Sequence, residues 1–436
     1  MASQTGVSRP FYTLDMKNSR VFSPVAFTVA LLAFTGLVDA QTAAPSSECS
    51  SSSAALPSAP QGFAGVADAS NRFGYKLLRE VARVNPRENA LLSPISASQA
   101  LEMLYQGAGG ETQKAMSKAL LLENIPLETL NRANLHALSI LEGDACVQFS
   151  SANSLWAKPG FNVLESFTSA ARTAYRAEVR SADLGTLEGV GQVNAWVSAK
   201  TRGKIGKLLD APVPDTDLLL LNATYFKGLW SKPFKKEDTL SKPFYLQDGS
   251  SKTVPMMSQK LEKVDYVDAV TFEGVRLSYK SSVGRAFVTE LYLPKKTSSL
   301  SSLVIRASSG GLGRLSWENG SGTLELPRFK LETKTDLEPL LTRLGMGLAF
   351  TDAANFTKLS LQPTRVSGAL QKAVLEVNEE GAVAAAATGV LMQTTSIQLP
   401  PRAFNLVFNR PFFMTIREQS SNAPLFLGAV YNPSSL

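Results

Sequence analysis

The sequence predicts a single large α+β domain. Helical and strand-like runs alternate irregularly from Gln61 onward, no segment repeats, and apolar periodicity continues to the tail. That pattern argues against a doubly wound α/β sheet. A length of 436 residues alone would allow two or three domains. Apolar residues make up 44% of the chain and aromatics 8%, ample for one sizeable core.

Taken in order, the first 40 residues stand apart from the fold. Lys17 and Arg20 precede the apolar run VAFTVALLAFTGLV, Val25 to Val38, and Asp39-Ala40 follows it. Val38 and Ala40 are small enough for cleavage by signal peptidase, and 14 apolar residues are short for a membrane span. Residues 1–40 therefore read as a secretory signal and the mature product as a soluble, extracellular protein. Residues 41–60, QTAAPSSECSSSSAALPSAP, read as a Ser/Ala/Pro-rich disordered spacer, and residues 61–436 as the folded domain.

Within that domain FGYKLLREVARV places Phe73, Leu77, Leu78 and Val81 on one helical face. Ser93 is placed to cap a helix that starts at Pro94 and ends near Gly107. Gln192–Ala199 and Leu337–Leu344 read as further helices. Strands are expected at VQFSSANSLWA, LLLLNATYF, VRLSYK, AFVTELYL, TLELPRFKL and PLFLGAVY. LLLLNATYF is apolar on both alternating faces up to Asn222, as a central strand would be, so Asn222 must find buried hydrogen-bond partners.

Several chemistries are excluded. The single histidine, His136, rules out zinc sites built on several histidines; no HExxH or GxSxG pattern occurs, and His136 reads as an exposed or capping helical residue. TRGKIGKLL lacks Walker spacing, and SSGGLGRLS, Ser308 to Ser316, reads as a turn between strands. No cofactor or metal site is expected, and enzymatic function is poorly supported. The net charge of +7 is dispersed among 37 acidic residues; its densest cluster, Lys232-Pro233-Phe234-Lys235-Lys236, reads as a solvated loop rather than a nucleic-acid groove. Two cysteines give no disulfide framework: Cys49 and Cys146 can pair, or Cys49 can stay free for an intermolecular bond, while Cys146 in DACVQF is most simply a buried thiol.

One segment stands out. Glu380 and Arg402 enclose 21 residues without a charge, where an average of 19% would give about four. Gly381 and Gly389 bracket only seven residues, too few for a stable isolated helix despite the alanines. Read with period two, both faces are neutral, and no proline interrupts Gly381 to Leu399. Such a segment can enter the middle of a sheet without burying a charge. Fourteen of its residues would extend about 45 Å at about 3.3 Å per residue, the length of a large sheet.

At this point the sequence resembles the serpin family, over about Gln61 to Pro433. The hinge of inhibitory serpins is matched by Glu379-Glu380-Gly381-Ala382-Val383-Ala384-Ala385-Ala386-Ala387-Thr388. NALLSPISASQALEML, NAWVSAKTRGKI, LLNATYFKGLWSKPF, VPMM, LQKAVLEVNEEG, FNRPFFMTI and PLFLGAVYNP agree in order and spacing. The resemblance implies about nine helices and three sheets with an exposed reactive-centre loop. A serine protease would attack that loop, form an acyl-enzyme, and be carried across the molecule as the cut loop inserts into the main sheet. Family spacing puts the scissile bond at Thr395-Ser396, with no Lys or Arg between Lys372 and Arg402 for a trypsin-like pocket. A small residue suits an elastase- or subtilisin-like target; a cut at Leu391 or Met392 would suit a chymotrypsin-like one.

The resemblance further assigns Ser93, Ser96 and Asn222 to a hydrogen-bond cluster beneath the opening sheet, with Gln371 replacing the usual histidine, so that any histidine pH dependence is lost. It puts Trp230 where the inserting strand first enters. Ala382, Ala384, Ala386 and Thr388 are small hinge residues that favour insertion. Of three sequons, Asn222 is expected to be buried and unmodified, whereas Asn319, in a Gly-rich turn, and Asn355 are candidates for glycosylation. A monomer is expected, without glycosaminoglycan activation, since no dense basic face appears. A non-inhibitory carrier, storage protein or chaperone is the alternative.

Overall fold

A computed structural model describes residue 49 and residues 58–142, 144–313, 315–381 and 400–434. The expected leader, most of the spacer, hinge positions Ala382, Ala384, Ala386 and Thr388, and the Thr395-Ser396 bond lie outside the described residues.

The N-terminal helical periodicity produces α1 (Phe63–Val84), which buries Phe73, Leu77, Leu78 and Val81 as its spacing requires. A short strand, β1 (Ala90–Leu92), leads into α2 (Pro94–Gly107), which has Pro94 at its first turn and 13 of its 14 residues buried. Ser93 does not cap it by side chain: its backbone, rather than its hydroxyl, is engaged elsewhere. Then follow α3 (Gly110–Leu120), α4 (Leu127–Glu142), β2 (Val147–Ala157), α5 (Glu165–Tyr175), β3 (Glu178–Ser181), α6 (Leu187–Lys200) and β4 (Leu218–Gly228). The middle of the chain is mostly strand: β5 (Leu240–Tyr245), β6 (Ser251–Asp268), β7 (Phe272–Ser278) and β8 (Phe287–Pro294). After α7 (Leu300–Ser308) come β9 (Glu318–Pro327), β10 (Phe329–Asp336), α8 (Glu338–Leu341), β11 (Gly368–Val377), β12 (Arg402–Val407), β13 (Phe412–Glu418) and β14 (Ala423–Val430).

Two sheets form. One has five strands in the order β10-β11-β4-β2-β3, and β4 occupies its centre, as its two-sided apolar pattern predicts. The other has nine strands, β1-β14-β13-β8-β7-β6-β9-β12, with β5 also paired to β6. Among the described residues there are thus eight α-helices and two sheets, close to the nine and three expected. The count of sheets falls because β6 is 18 residues long and joins β5 and β9 to β7, with its register shifting between Leu261 and Val264, where Lys263 takes φ +54°. No helix among the described residues is long and apolar enough to cross a membrane.

Local expectations fail where tertiary context outweighs pattern. The helix expected over Leu337–Leu344 stops after α8 in a wider turn, because Gly345 adopts φ +99°. SSGGLGRLS connects α7 to β9 rather than two strands. His136 lies mid-helix, half-buried, with Phe63 edge-on at 4.7 Å, and burial lowers its pKa. Cys146 is 3% exposed but is not a thiol: it forms a disulfide with Cys49, closing a separation of 97 residues.

Candidate functional site: the seam between β4 and β11

β4 and β11 are parallel neighbours hydrogen-bonded along eight register pairs, from Gly368↔Leu219 to Leu375↔Phe226. Every other pairing in the five-stranded sheet except β2 with β3 is antiparallel. Parallel pairing puts Gln371 directly beside Asn222, both facing the N-terminus of α2. Gln371 Nε2 donates to Asn222 Oδ1 at 2.7 Å and to the Ser93 carbonyl at 3.1 Å; Gln371 Oε1 accepts from the Ser93 amide at 3.1 Å. Asn222 Nδ2 donates to Ser96 Oγ and, at 2.5 Å, to Asn153 Oδ1. Ser96 Oγ in turn shares a 2.7 Å bond with Ser151 Oγ.

The structure therefore brings Ser93, Ser96, Asn222 and Gln371 into one buried network, each at most 1% exposed. Ser93 contributes its backbone; its hydroxyl has no partner. Asn153 and Ser151, on β2, were not singled out from sequence. They lie two apart on one strand face, and Asn153 pairs in register with Asn222; Gln148, Ser150 and Ser154 are polar in the same strand, so the sequence carried no signal that singles these two out. All six side chains are neutral amides or hydroxyls, so nothing in the network titrates near neutral pH. The side-chain bond from Gln371 to Asn222 ties the two strands across the seam in addition to the ladder.

The top of the seam holds the first hinge residues. Beyond β11, the Trp230 indole donates to the Asn378 carbonyl at 2.9 Å. The amides of Trp230 and Phe234 donate to the carbonyls of Glu380 and Glu379 at 3.2 and 2.8 Å. Trp230 is 2% exposed and stacks on Tyr279 with centroids 4.4 Å apart. Glu379 Oε1 accepts from Thr239 Oγ1 at 2.8 Å and meets Arg328 Nη1 at 3.3 Å. Glu380 pairs with Lys236 at 2.6 Å, and that bond raises the lysine's pKa. Gly381 has φ +73°, and a Cβ there would overlap the Gly228 carbonyl oxygen and the Trp230 nitrogen. Glycine at this position is required by backbone contact as well as by φ.

The predicted sequons differ in setting. Asn222 is 1% exposed within the network. Asn319 is exposed but lies in β9, opposite Asp265, rather than in a turn. Asn355 is half-buried and folds its Oδ1 back onto Thr357 N and Oγ1, at 3.2 and 2.8 Å. No group of His, Cys, Asp and Glu among the described residues could hold a metal ion.

Against known proteins, residues 68–433 match the family model described as serpin (serine protease inhibitor). The chain belongs to the serpin family. It is 34% identical to Iripin-2 of Ixodes ricinus over 375 residues, 83% of this chain and 92% of that protein. It is 33% identical to leukocyte elastase inhibitor of Bos taurus over 379 residues, covering 84% and 98% of the two chains. The structure of human thyroxine-binding globulin is similar at a TM-score of 0.76 and 26% identity, covering 86% of this chain and all of that one. The family thus contains both protease inhibitors and ligand carriers; most serpins act on serine proteases rather than as catalysts.

Proposed function

We propose that this serpin is a secreted inhibitor of serine endopeptidases that acts as a suicide substrate. The protease cuts near Thr395-Ser396, remains attached as an acyl-enzyme, and is trapped when residues 382–395 enter the seam between β4 and β11. The observation that carries this reading is the seam itself. Two parallel strands are zipped directly together, one of them runs straight into the hinge at Trp230, and Gly381 is followed by 20 uncharged residues before Arg402. A strand entering between them would run antiparallel to both and could use the ladder groups that now pair β4 with β11. Thr395 and Ser396 are small and uncharged, which favours elastase- or subtilisin-like targets over trypsin-like ones; similarity to leukocyte elastase inhibitor points the same way. The apolar run at Val25–Val38 supports secretion.

The test is incubation with elastase, subtilisin, chymotrypsin and trypsin, followed by denaturing electrophoresis and mass analysis. A stable covalent complex with a small-residue protease and a released peptide beginning at Ser396 are expected. Cleavage by every enzyme without a complex contradicts inhibition. A carrier role, favoured by similarity to thyroxine-binding globulin, predicts instead that nicking the loop leaves thermal stability unchanged.

A further inference from the structure

Away from the seam, α1, α2, α4 and the turn between β13 and β14 line a part-open cavity of about 30 Å³. Measured as room for the centre of a water, that holds about two waters or a few heavy atoms. Its walls are mostly apolar, including Phe63, Val66, Ile140 and Leu141. Two polar side chains of α2 also line it, and both are anomalous. Gln99 is 1% exposed, yet neither its Nε2 nor its Oε1 has a hydrogen-bond partner. Glu102, also 1% exposed, accepts only from neutral groups: Ser98 Oγ and Asn134 Nδ2, each at 2.6 Å. Among the described residues no lysine, arginine or histidine forms an ion pair with it.

A buried amide with both atoms unpaired costs several times an ordinary hydrogen bond, and a buried carboxyl without a counter-ion resists ionisation. Glu102 accordingly has a raised pKa, from desolvation. Neither residue takes part in the seam network or the hinge. Each is one turn or less from the other on the same helix face, so their polar atoms converge on the cavity. What the cavity lacks is a compact cation that also donates hydrogen bonds and carries a short hydrocarbon.

We propose that this cavity binds a small primary amine, an alkylamine or amino alcohol of a few heavy atoms. Its ammonium group pairs with the Glu102 carboxylate and donates to Gln99 Oε1. The hydrocarbon lies against Phe63, Val66, Ile140 and Leu141, and a hydroxyl on the ligand satisfies Gln99 Nε2. Water alone is a poorer occupant, because it supplies hydrogen bonds to Gln99 but cannot take the Glu102 proton as an amine does on forming its ammonium, and most of the wall offers it no partner. Half-buried Asn71 and Ser421 form the polar rim.

The probe is ethylamine, with ethanol as its neutral isostere, titrated into the full-length protein by calorimetry and followed by thermal unfolding. Saturable binding in the millimolar range is expected for about three heavy atoms, with a rise in melting temperature. Ethanol should bind at least tenfold more weakly, and Glu102→Gln should remove that preference for the amine. Ala137→Leu, which fills the cavity from α4, should abolish binding by either probe and serves where Glu102→Gln fails to fold. Equal binding of amine and alcohol, no binding of the amine to folded wild type, or a crystal soaked in the amine that shows only water at Gln99 would each overturn the assignment.

Discussion

Replacing Gln371 with Ala probes the seam most sharply. Two groups lose their only partner, the Ser93 amide and Asn222 Oδ1, while the Ser93 carbonyl keeps the Ala97 amide at 3.0 Å. Each unsatisfied buried group costs about 1–3 kcal/mol, so a dry site would lose about 2–6 kcal/mol. The vacated space can admit water that restores part of this, and about 1–3 kcal/mol is the expected net loss. Serpin unfolding need not be reversible, so amide hydrogen exchange is the better assay than an equilibrium melt. The Ser93 amide reports directly, because Gln371 Oε1 is its acceptor. Local opening that is 2 kcal/mol easier raises its exchange rate about 30-fold, and the amides of Leu219–Phe226 and Gly368–Leu375 should gain a smaller increase. Unchanged exchange at Ser93 and across the β4–β11 ladder would show that Gln371 does not hold the seam, and the reasoning would fail.

Other consequences are more local. Gly381→Ala should expel the hinge from its seat on Gly228 and Trp230, costing at least about 1 kcal/mol from φ alone, and should red-shift tryptophan emission; an unaltered spectrum and melting temperature would contradict the packing described. Cys49→Ser opens a loop of 97 residues and should cost about 2–4 kcal/mol, seen as a lower calorimetric melting temperature, whereas an unchanged melt would mean that the bond adds nothing. The single histidine should titrate below about 6.5 by proton NMR, because burial and then Arg285 disfavour its charged form; its depressed folded pKa gives stability that is complete above about pH 6.5 and declines as pH falls toward the folded value. A midpoint at or above 6.5 would refute that packing. Ala382→Arg should convert inhibitor to substrate, since insertion would bury a charge; a persistent covalent complex with that variant counts against insertion.

The central strand was legible because LLLLNATYF is apolar on both faces, and Asn222 within it announced a need for buried partners. Two of the residues that meet that need could not be read in the same way. Ser151 and Asn153 sit among other polar residues of VQFSSANSLWA, Ser150 and Ser154, so nothing in the strand marks which face turns inward; the antiparallel register of β2 on β4 decides it. The hinge acids were visible, but the partners of Glu379 lie 140 residues away at Thr239 and 51 away at Arg328, separations for which local pattern carries no signal. The disulfide was one of two open possibilities because Cys49 sits in a Ser-rich stretch with no spacing constraint. Three sheets became two for a geometric reason, the length and bulge of β6, which depends on how far pairing partners overlap rather than on the composition of any strand.

The central claim is that cutting the loop opens the seam. The direct measurement is a crystal structure of the protein after cleavage near Thr395-Ser396. A new strand from residues 382–395 lying between β4 and β11, with the eight register pairs from Gly368↔Leu219 to Leu375↔Phe226 broken, is the predicted result. Those eight pairs intact in the cleaved protein would contradict it.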